Sequence, residues 1–226
     1  RYFQLTIMLT KNVITTGPVI LYYYDNPLAT KPKVVRLVCI CQYQLYSWYS
    51  MCLCVQQGAI DLNMVQDVSR VPEVVIQGDE LDKEGNGLDR FPVPISTPGF
   101  DSAPTLTATN VVTRDPETGV QNHGTYRAAL KSSDRLVVRM ATRTGGAGGY
   151  RHYVKHQKRG DKTMPCAIVL GAPPCVAFVA PQKLPVDVDE IGVAGGLAGV
   201  PINVVKAKTV DLFVPAEAEI VIEGLI

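Results

Sequence analysis

The sequence predicts an α/β chain of mixed α+β character, in which one mixed β-sheet carries short flanking helices. Three observations predict it. A polar turn, Asp115-Pro116-Glu117-Thr118-Gly119, lies between two β-prone runs and marks a hairpin, since Pro presets φ and Gly accepts φ > 0. Met164 to Leu170 is apolar throughout and reads as a strand buried on both faces. Helix starts at Pro173-Pro174 and Asp187/Asp189, followed by glycines, are spaced for helices of only two or three turns.

Residues 1–60 differ in composition from the rest. They hold one acidic residue, Asp25, of the 21, together with nine of the sixteen aromatics and four of the six cysteines. This divides the chain into an N-terminal region of uncertain assignment (1–60) and a second region (61–226). Val34 to Val55 is apolar, but Arg36, Gln42, Gln44, Ser47 and Ser50 interrupt it, and a membrane span needs about 20 predominantly apolar residues. Cys39-x-Cys41 and Cys52-x-Cys54 are spaced too tightly for a zinc knuckle, so buried thiols are the expectation.

From residue 61 onward, Val71 to Ile76 is a short strand and Gly78 to Gly87 an acidic loop. Leu106 to Thr113 alternates toward the central hairpin. Its second arm carries Asn122-His123-Gly124-Thr125-Tyr126-Arg127, and a further β-prone run, Leu136 to Met140, follows the turn at Ser132-Ser133-Asp134. The glycine-rich run Gly145 to Gly149 offers bare backbone N–H groups to an anion. Tyr150 to Gln157 reads as a helix, with His152 and His156 one turn apart on a solvated face and Arg159-Gly160-Asp161 as a surface turn. A helix from Asp189 is expected to stop at Gly195-Gly196, with strands over Ile202 to Lys208, Val210 to Val214 and Glu219 to Ile222.

A net charge of +1 gives no argument for nucleic acid or an anionic membrane surface. With no secretory signal pattern and too few cysteines for a disulfide scaffold, a cytoplasmic protein is expected. The sequence contains no G-x-S-x-G elbow, no Walker loop and no G-x-G-x-x-G after a strand. Arg127, Arg139 and the glycine run, gathered around a hairpin, suggest a phosphate-bearing cofactor. On spacing alone, Asn122 is a turn residue and Glu190 a helix-start carboxylate, although two such oxygens can ligate a hard divalent ion when a phosphate completes the shell.

The DPETG turn, the N-x-G-x-Y-R run at Asn122 to Arg127 and the Arg-Thr-Gly-Gly loop together resemble the UbiD family of prenylated-FMN-dependent decarboxylases. So do Pro185-Val186-Asp187-Val188-Asp189-Glu190, the Ala194 to Pro201 turn, and Val214 to Gly224. The resemblance covers about residues 70–226. It implies a flavin-binding domain of split-barrel type, holding prenylated FMN with Mn²⁺ (or Mg²⁺) and K⁺. By motif, Asn122 and Glu190 are the metal ligands. Thr125, Tyr126, Arg127, Arg139, Met140, Ala141, Thr144 and Gly145 contact the flavin, and carbonyls near Ala180 and Gln182 hold potassium. Arg127 is also the catalytic residue, orienting the carboxylate of a small aromatic or α,β-unsaturated acid. A flavin prenyltransferase as cofactor supplier and a homo-oligomer are further implications.

The chain departs from the family pattern in two ways. Arg143 occupies the position of a metal-binding His, and arginine cannot ligate a cation. The family's acid/base glutamates lie downstream of the Val214 to Gly224 block, so the chain is expected to turn nothing over by itself. A flavin-binding or structural subunit without turnover is the alternative reading.

Overall fold

The computed structural model describes residues 6–9, 65–68, 72, 74–142 and 146–226. The paired cysteines at 39–54, the apolar stretch 34–55, and Arg143, Thr144 and Gly145 lie outside the described residues.

The strands are β1 (Thr6–Leu9), β2 (Val65–Asp67), β3 (Val74–Gln77), β4 (Thr105–Leu106), β5 (Asn110–Arg114), β6 (Gln121–Thr125), β7 (Ala128–Ser132), β8 (Arg135–Val138), β9 (Pro165–Leu170), β10 (Ile202–Lys206), β11 (Phe213–Pro215) and β12 (Ile220–Leu225). The helices are α1 (Gly148–Arg159), α2 (Pro174–Val179) and α3 (Glu190–Ala198). A six-stranded sheet runs β3-β1-β12-β9-β5-β6, and all its ladders are antiparallel. Two three-stranded sheets flank it, β11-β10-β2 and β4-β7-β8, and among the described residues parallel pairing is confined to β10 with β2. The expected mixed α+β class is what forms.

Strand alternation distributes two cores across the large sheet. Val112, Ala167, Val169 and Val221 point to one face and join Val176, Val179, Ile191, Val193, Ile202 and Leu212 beneath α2 and α3. Their neighbours Val111, Cys166, Ile168 and Ile222 point to the other face and meet Ile76, Leu81, Leu88, Leu106, Ala128 and Leu136. Successive side chains on a strand point opposite ways, so a strand between two cores must be apolar at every position. That is why the unbroken run in β9 becomes a central strand. Burying one such Val or Ile contributes about 1.5–3 kcal/mol.

The hairpin between β5 and β6 is closed by its own turn chemistry. Asp115 Oδ1 accepts from the N–H groups of Glu117 (2.8 Å) and Thr118 (3.2 Å), and Gly119 takes φ 76°. The large sheet is stitched to the β11 sheet by one side chain. Gln121 donates Nε2 to the Phe213 carbonyl (3.0 Å) and accepts the Phe213 N–H on Oε1 (2.7 Å), completing a strand-like pair of bonds.

Several boundaries differ from expectation. α3 runs through Gly195-Gly196 and ends at Gly199, which adopts φ 69°. Both inner glycines stay helical because Leu197 and Ala198 beyond them still pack, half-buried, against the core, and the left-handed cap falls on Gly199 instead. The strand expected to reach Lys208 stops at Lys206, since the N–H groups of Lys208 and Thr209 turn onto the Glu223 carboxylate (3.0 and 2.6 Å). Val210 likewise stays out of β11 because the Leu212 N–H folds back to its carbonyl. His152 is not solvated. It is 6% exposed, and its Nδ1 lies 2.9 Å from Thr113 Oγ1 on β5, so α1 packs this face against the hairpin.

Candidate functional site

A cavity of about 470 Å³ opens between β6, the first turn of α1 and the loop from Ala180 to Val188. On β6 the alternation that builds the core also builds the site: Asn122 and Gly124 line the cavity, while His123 between them is fully buried away from it. Among the described residues neither ring nitrogen of His123 has a partner, and burial pushes its pKa down to about 3.

Glu190 enters from α3. Asp189 caps that helix, its Oδ1 accepting from the Ile191 N–H (2.8 Å), so Glu190 becomes the first helical residue and turns into the cavity. It is 7% exposed, and Oε2 accepts the His123 N–H at 3.0 Å. Burial pushes its pKa up to about 8, opposed by the backbone N–H bonds it accepts. A carboxylate held in this setting gains from a cation beside it.

Asn122 and Tyr126 share a small network. The Tyr126 hydroxyl accepts from Gly149 N–H (3.3 Å) and Asn122 Nδ2 (3.4 Å), and burial raises the phenol pKa. The Asn122 amide has a second orientation in which its oxygen accepts from the His123 and Gly124 N–H groups, both at 3.2 Å. Thr109 Oγ1 donates to the Tyr126 carbonyl and fixes the backbone there. The glycines of the run do more than approach an anion. A Cβ on Gly148 would lie 1.6 Å from Asn122 Oδ1, and one on Gly149 would press on Met140 Sδ and Tyr126 at 3.2 Å. They make room for the side chains of the Asn122–Tyr126 segment.

Of the residues expected at the site, Asn122, Thr125, Tyr126, Ala141 and Glu190 line this cavity, as do Ala180 and Gln182. Arg127, Arg139 and Met140 do not. Arg127 and Arg139 are exposed, joined only through the backbone by Arg139 N–H to the Arg127 carbonyl (3.0 Å), and Met140 packs on Gly149. The convergence of two arginines on the hairpin, expected from the sequence, is therefore a backbone pairing outside the cavity.

Three further lining residues were not singled out. Asp115 is 2% exposed and takes the Lys155 ammonium at 2.6 Å, with Glu117 on the same ammonium at 2.9 Å. Burial would raise Asp115, but the Lys155 bond and two backbone N–H bonds hold it below the usual carboxylate range. Those carboxylates in turn raise Lys155. Arg151 lines the cavity from the first turn of α1, where its Nη1 donates to the Gly146 carbonyl (3.2 Å). Among the described residues, no cluster of three or more His, Cys, Asp or Glu forms a complete metal cage, and no helix is long and apolar enough to cross a membrane.

Residues 64–226 match the model of the UbiD family's 3-octaprenyl-4-hydroxybenzoate carboxy-lyase Rift-related domain. The chain belongs to the UbiD family. The Synechocystis sp. protein sll0936 is 40% identical over 154 residues, which is 68% of this chain and 29% of that protein. Among solved structures, the UbiD-class enzyme HmfF from Pelotomaculum thermopropionicum in complex with FMN is 31% identical with a TM-score of 0.64, covering 78% of this chain and 38% of its own. An evolved dimeric form of HmfF in complex with prFMN is 34% identical with a TM-score of 0.55, over 60% of this chain and 30% of its own. The apo 3,4-dihydroxybenzoic acid decarboxylase from Enterobacter cloacae is 26% identical with a TM-score of 0.60, over 77% of this chain and 36% of its own. The chain thus spans about a third of the length of these relatives.

The residues of this UbiD-family chain fit a phosphate-bearing flavin with a hard cation beside it. One amide oxygen and one buried carboxylate on the same cavity wall are a hard donor pair, incomplete without further oxygens. Gly148 is cut to let Asn122 reach that wall. A cavity of this size is ordinary for a cofactor site.

Proposed function

We propose that this chain is the cofactor-binding part of a non-oxidative decarboxylase that uses prenylated FMN and Mn²⁺ or Mg²⁺ on an aromatic or α,β-unsaturated carboxylic acid. The observation that carries the reading is the meeting of Asn122, from the N-x-G-x-Y-R run, and Glu190, from the P-V-D-V-D-E block, on one cavity wall although they are 68 residues apart in sequence. When bound, prenylated FMN supplies the electron sink that lets a carboxylate leave as CO₂.

The chain's own residues have assignable tasks. Glu190 supplies one anionic oxygen to the cation, held in place by the His123 N–H. Asn122 supplies the neutral oxygen, and a cation selects the amide orientation that turns Oδ1 toward it. Thr125, Tyr126 and Ala141 border the flavin, and carbonyls near Ala180 and Gln182 hold K⁺ on the family pattern. Arg127 orients the substrate carboxylate from the exposed segment after β6. Arg139, Met140, Thr144 and Gly145 complete the flavin contacts on the family pattern. A homo-oligomer in the cytoplasm, supplied by a flavin prenyltransferase, belongs to the same reading.

A flavin-holding part without turnover of its own is the second reading. It is favoured by the glutamates of the Val214 to Gly224 block, none of which lines the cavity. Glu223 is spent on Lys208 and Thr209, and Glu217 Oε1 accepts from Asn203 Nδ2 (2.7 Å). Mass spectrometry of small molecules released on denaturation, from protein co-expressed with a flavin prenyltransferase, tests the cofactor. A nicotinamide nucleotide with no flavin would refute it.

A further inference from the structure

Among the described residues, three cations line the cavity: Arg151, Lys155 and Lys183. Lys155 is committed to Asp115 and Glu117. Arg151 differs, since no carboxylate among the described residues pairs with it and its hydrogen bond goes to a neutral carbonyl, that of Gly146. Its position also runs against helix electrostatics. The start of a helix carries partial positive charge and favours acidic side chains, yet the first turn of α1 holds no acidic residue and no side-chain cap. A guanidinium placed there adds to the helix field instead of offsetting it, and both face the same cavity. The Arg151 charge is felt by Tyr126 and Glu190, so it acts where the flavin-binding motif lies.

We propose that Arg151 is the anchor for the flavin's phosphate in this chain, and that it makes the cavity select phosphorylated over unphosphorylated flavin. The inference rests on the cofactor reading above and adds a residue to it. A planar guanidinium suits the task because it presents parallel N–H donors to two phosphate oxygens, stays charged at every working pH and keeps one edge for Gly146. Asn122 and Glu190 leave phosphate recognition incomplete, because a cation held between them and the phosphate satisfies only some of its oxygens. Arg151 reaches the remainder from the helix side.

Binding of FMN and of riboflavin, followed by quenching of flavin fluorescence, tests the proposal. Arg151→Met keeps the apolar stem and removes the charge. It is expected to weaken FMN at least tenfold, leave riboflavin unchanged and flatten the salt dependence of FMN binding, with Arg151→Lys in between. An unchanged FMN affinity in Arg151→Met would overturn the proposal and would place the guanidinium against a different anion, such as the substrate carboxylate. Equal weakening of FMN and riboflavin would also overturn it, by showing a role in shape alone. If the unaltered protein bound neither flavin, the cofactor reading itself would fall, an outcome separable from the first two.

Discussion

The Glu190 carboxylate accepts the His123 backbone N–H at 3.0 Å, so the first residue of α3 is fastened to the middle of β6 one position from Asn122. The bond turns two distant motifs into one wall of a cavity and presets the carboxylate before any cation arrives. Glu190→Gln keeps an acceptor for His123 and removes only the charge. It is expected to alter stability by less than about 1 kcal/mol, because one hydrogen bond is worth roughly that, while divalent metal and flavin are both lost on gel filtration. Metal analysis by mass spectrometry together with the flavin absorbance checks this. Full metal occupancy in the variant would remove Glu190 from the ligand set.

Gly148→Ala is expected to be more damaging than its chemistry suggests. The added methyl would arrive 1.6 Å from Asn122 Oδ1, so the amide must leave its place or α1 must shift. Overpacking of this kind costs about 1–3 kcal/mol. Flavin occupancy should fall with it. Gly119→Ala, at φ 76° with nothing within 4 Å of its Cβ, is the control, with backbone strain of about 1–2 kcal/mol and no loss of flavin. Thermal melts and absorbance spectra of the two variants separate the effects.

His152 gives an acid limb to stability. Burial pushes its pKa to about 4 from 6.5 in the unfolded chain, with Asp115 opposing and Arg151, Lys155 and His156 reinforcing the shift. The unfolded state therefore binds the extra proton between those values. The contribution is fully present above pH 6.5 and is lost as pH falls through 4, reaching ~3 kcal/mol at most. His152→Gln can still meet Thr113 and should flatten the difference in urea midpoint between pH 7 and pH 4.5. An unchanged slope would mean that His123 and the carboxylates set the acid limb.

Arg127 and Glu223 make opposite predictions. Arg127 is exposed, so Arg127→Ala should move stability by no more than about 0.5 kcal/mol, while abolishing CO₂ release in a chain extended through the family's downstream acid/base glutamates and loaded with prenylated flavin. Glu223 is fully buried and binds Lys208 and Thr209 through both oxygens. Glu223→Ala should cost about 1–3 kcal/mol by leaving those N–H groups unpaired, with flavin retained. Denaturant midpoints and a CO₂ assay decide both.

The parts of this architecture that were legible in the sequence are those written in local chemistry. The Asp115 to Gly119 turn, the apolar run of β9 and the Asp189 cap each carry their cause within a few residues. The misread positions depend on what a distant segment supplies. His152 looks like a solvated helix residue until Thr113 and Asp115 of the hairpin are placed beneath it. Gly195-Gly196 looks like a stop until Leu197 and Ala198 beyond it are seen to pack against the core. Arg127 and Arg139 seem to converge because the hairpin brings them near, yet only their backbones meet. Arg151 carried a signal that could have been read: a cation in the opening turn of a helix that lacks any acidic residue. Asn122 and Glu190 needed the family resemblance, because nothing local joins two residues 68 positions apart.

The order β3-β1-β12-β9-β5-β6 has a consequence for biogenesis. Residues 220–225 fill the gap between β9 and β1, so the six-stranded layer stays split until a ribosome has delivered them. Until then the nascent chain must carry Ile168 and Val169 without their strand partners Ile222 and Val221. Long-range closure of this sort is slow, and unpaired edges invite association with other nascent chains. The yield of a chain built this way should therefore depend on translation speed through the stretch before Ile220.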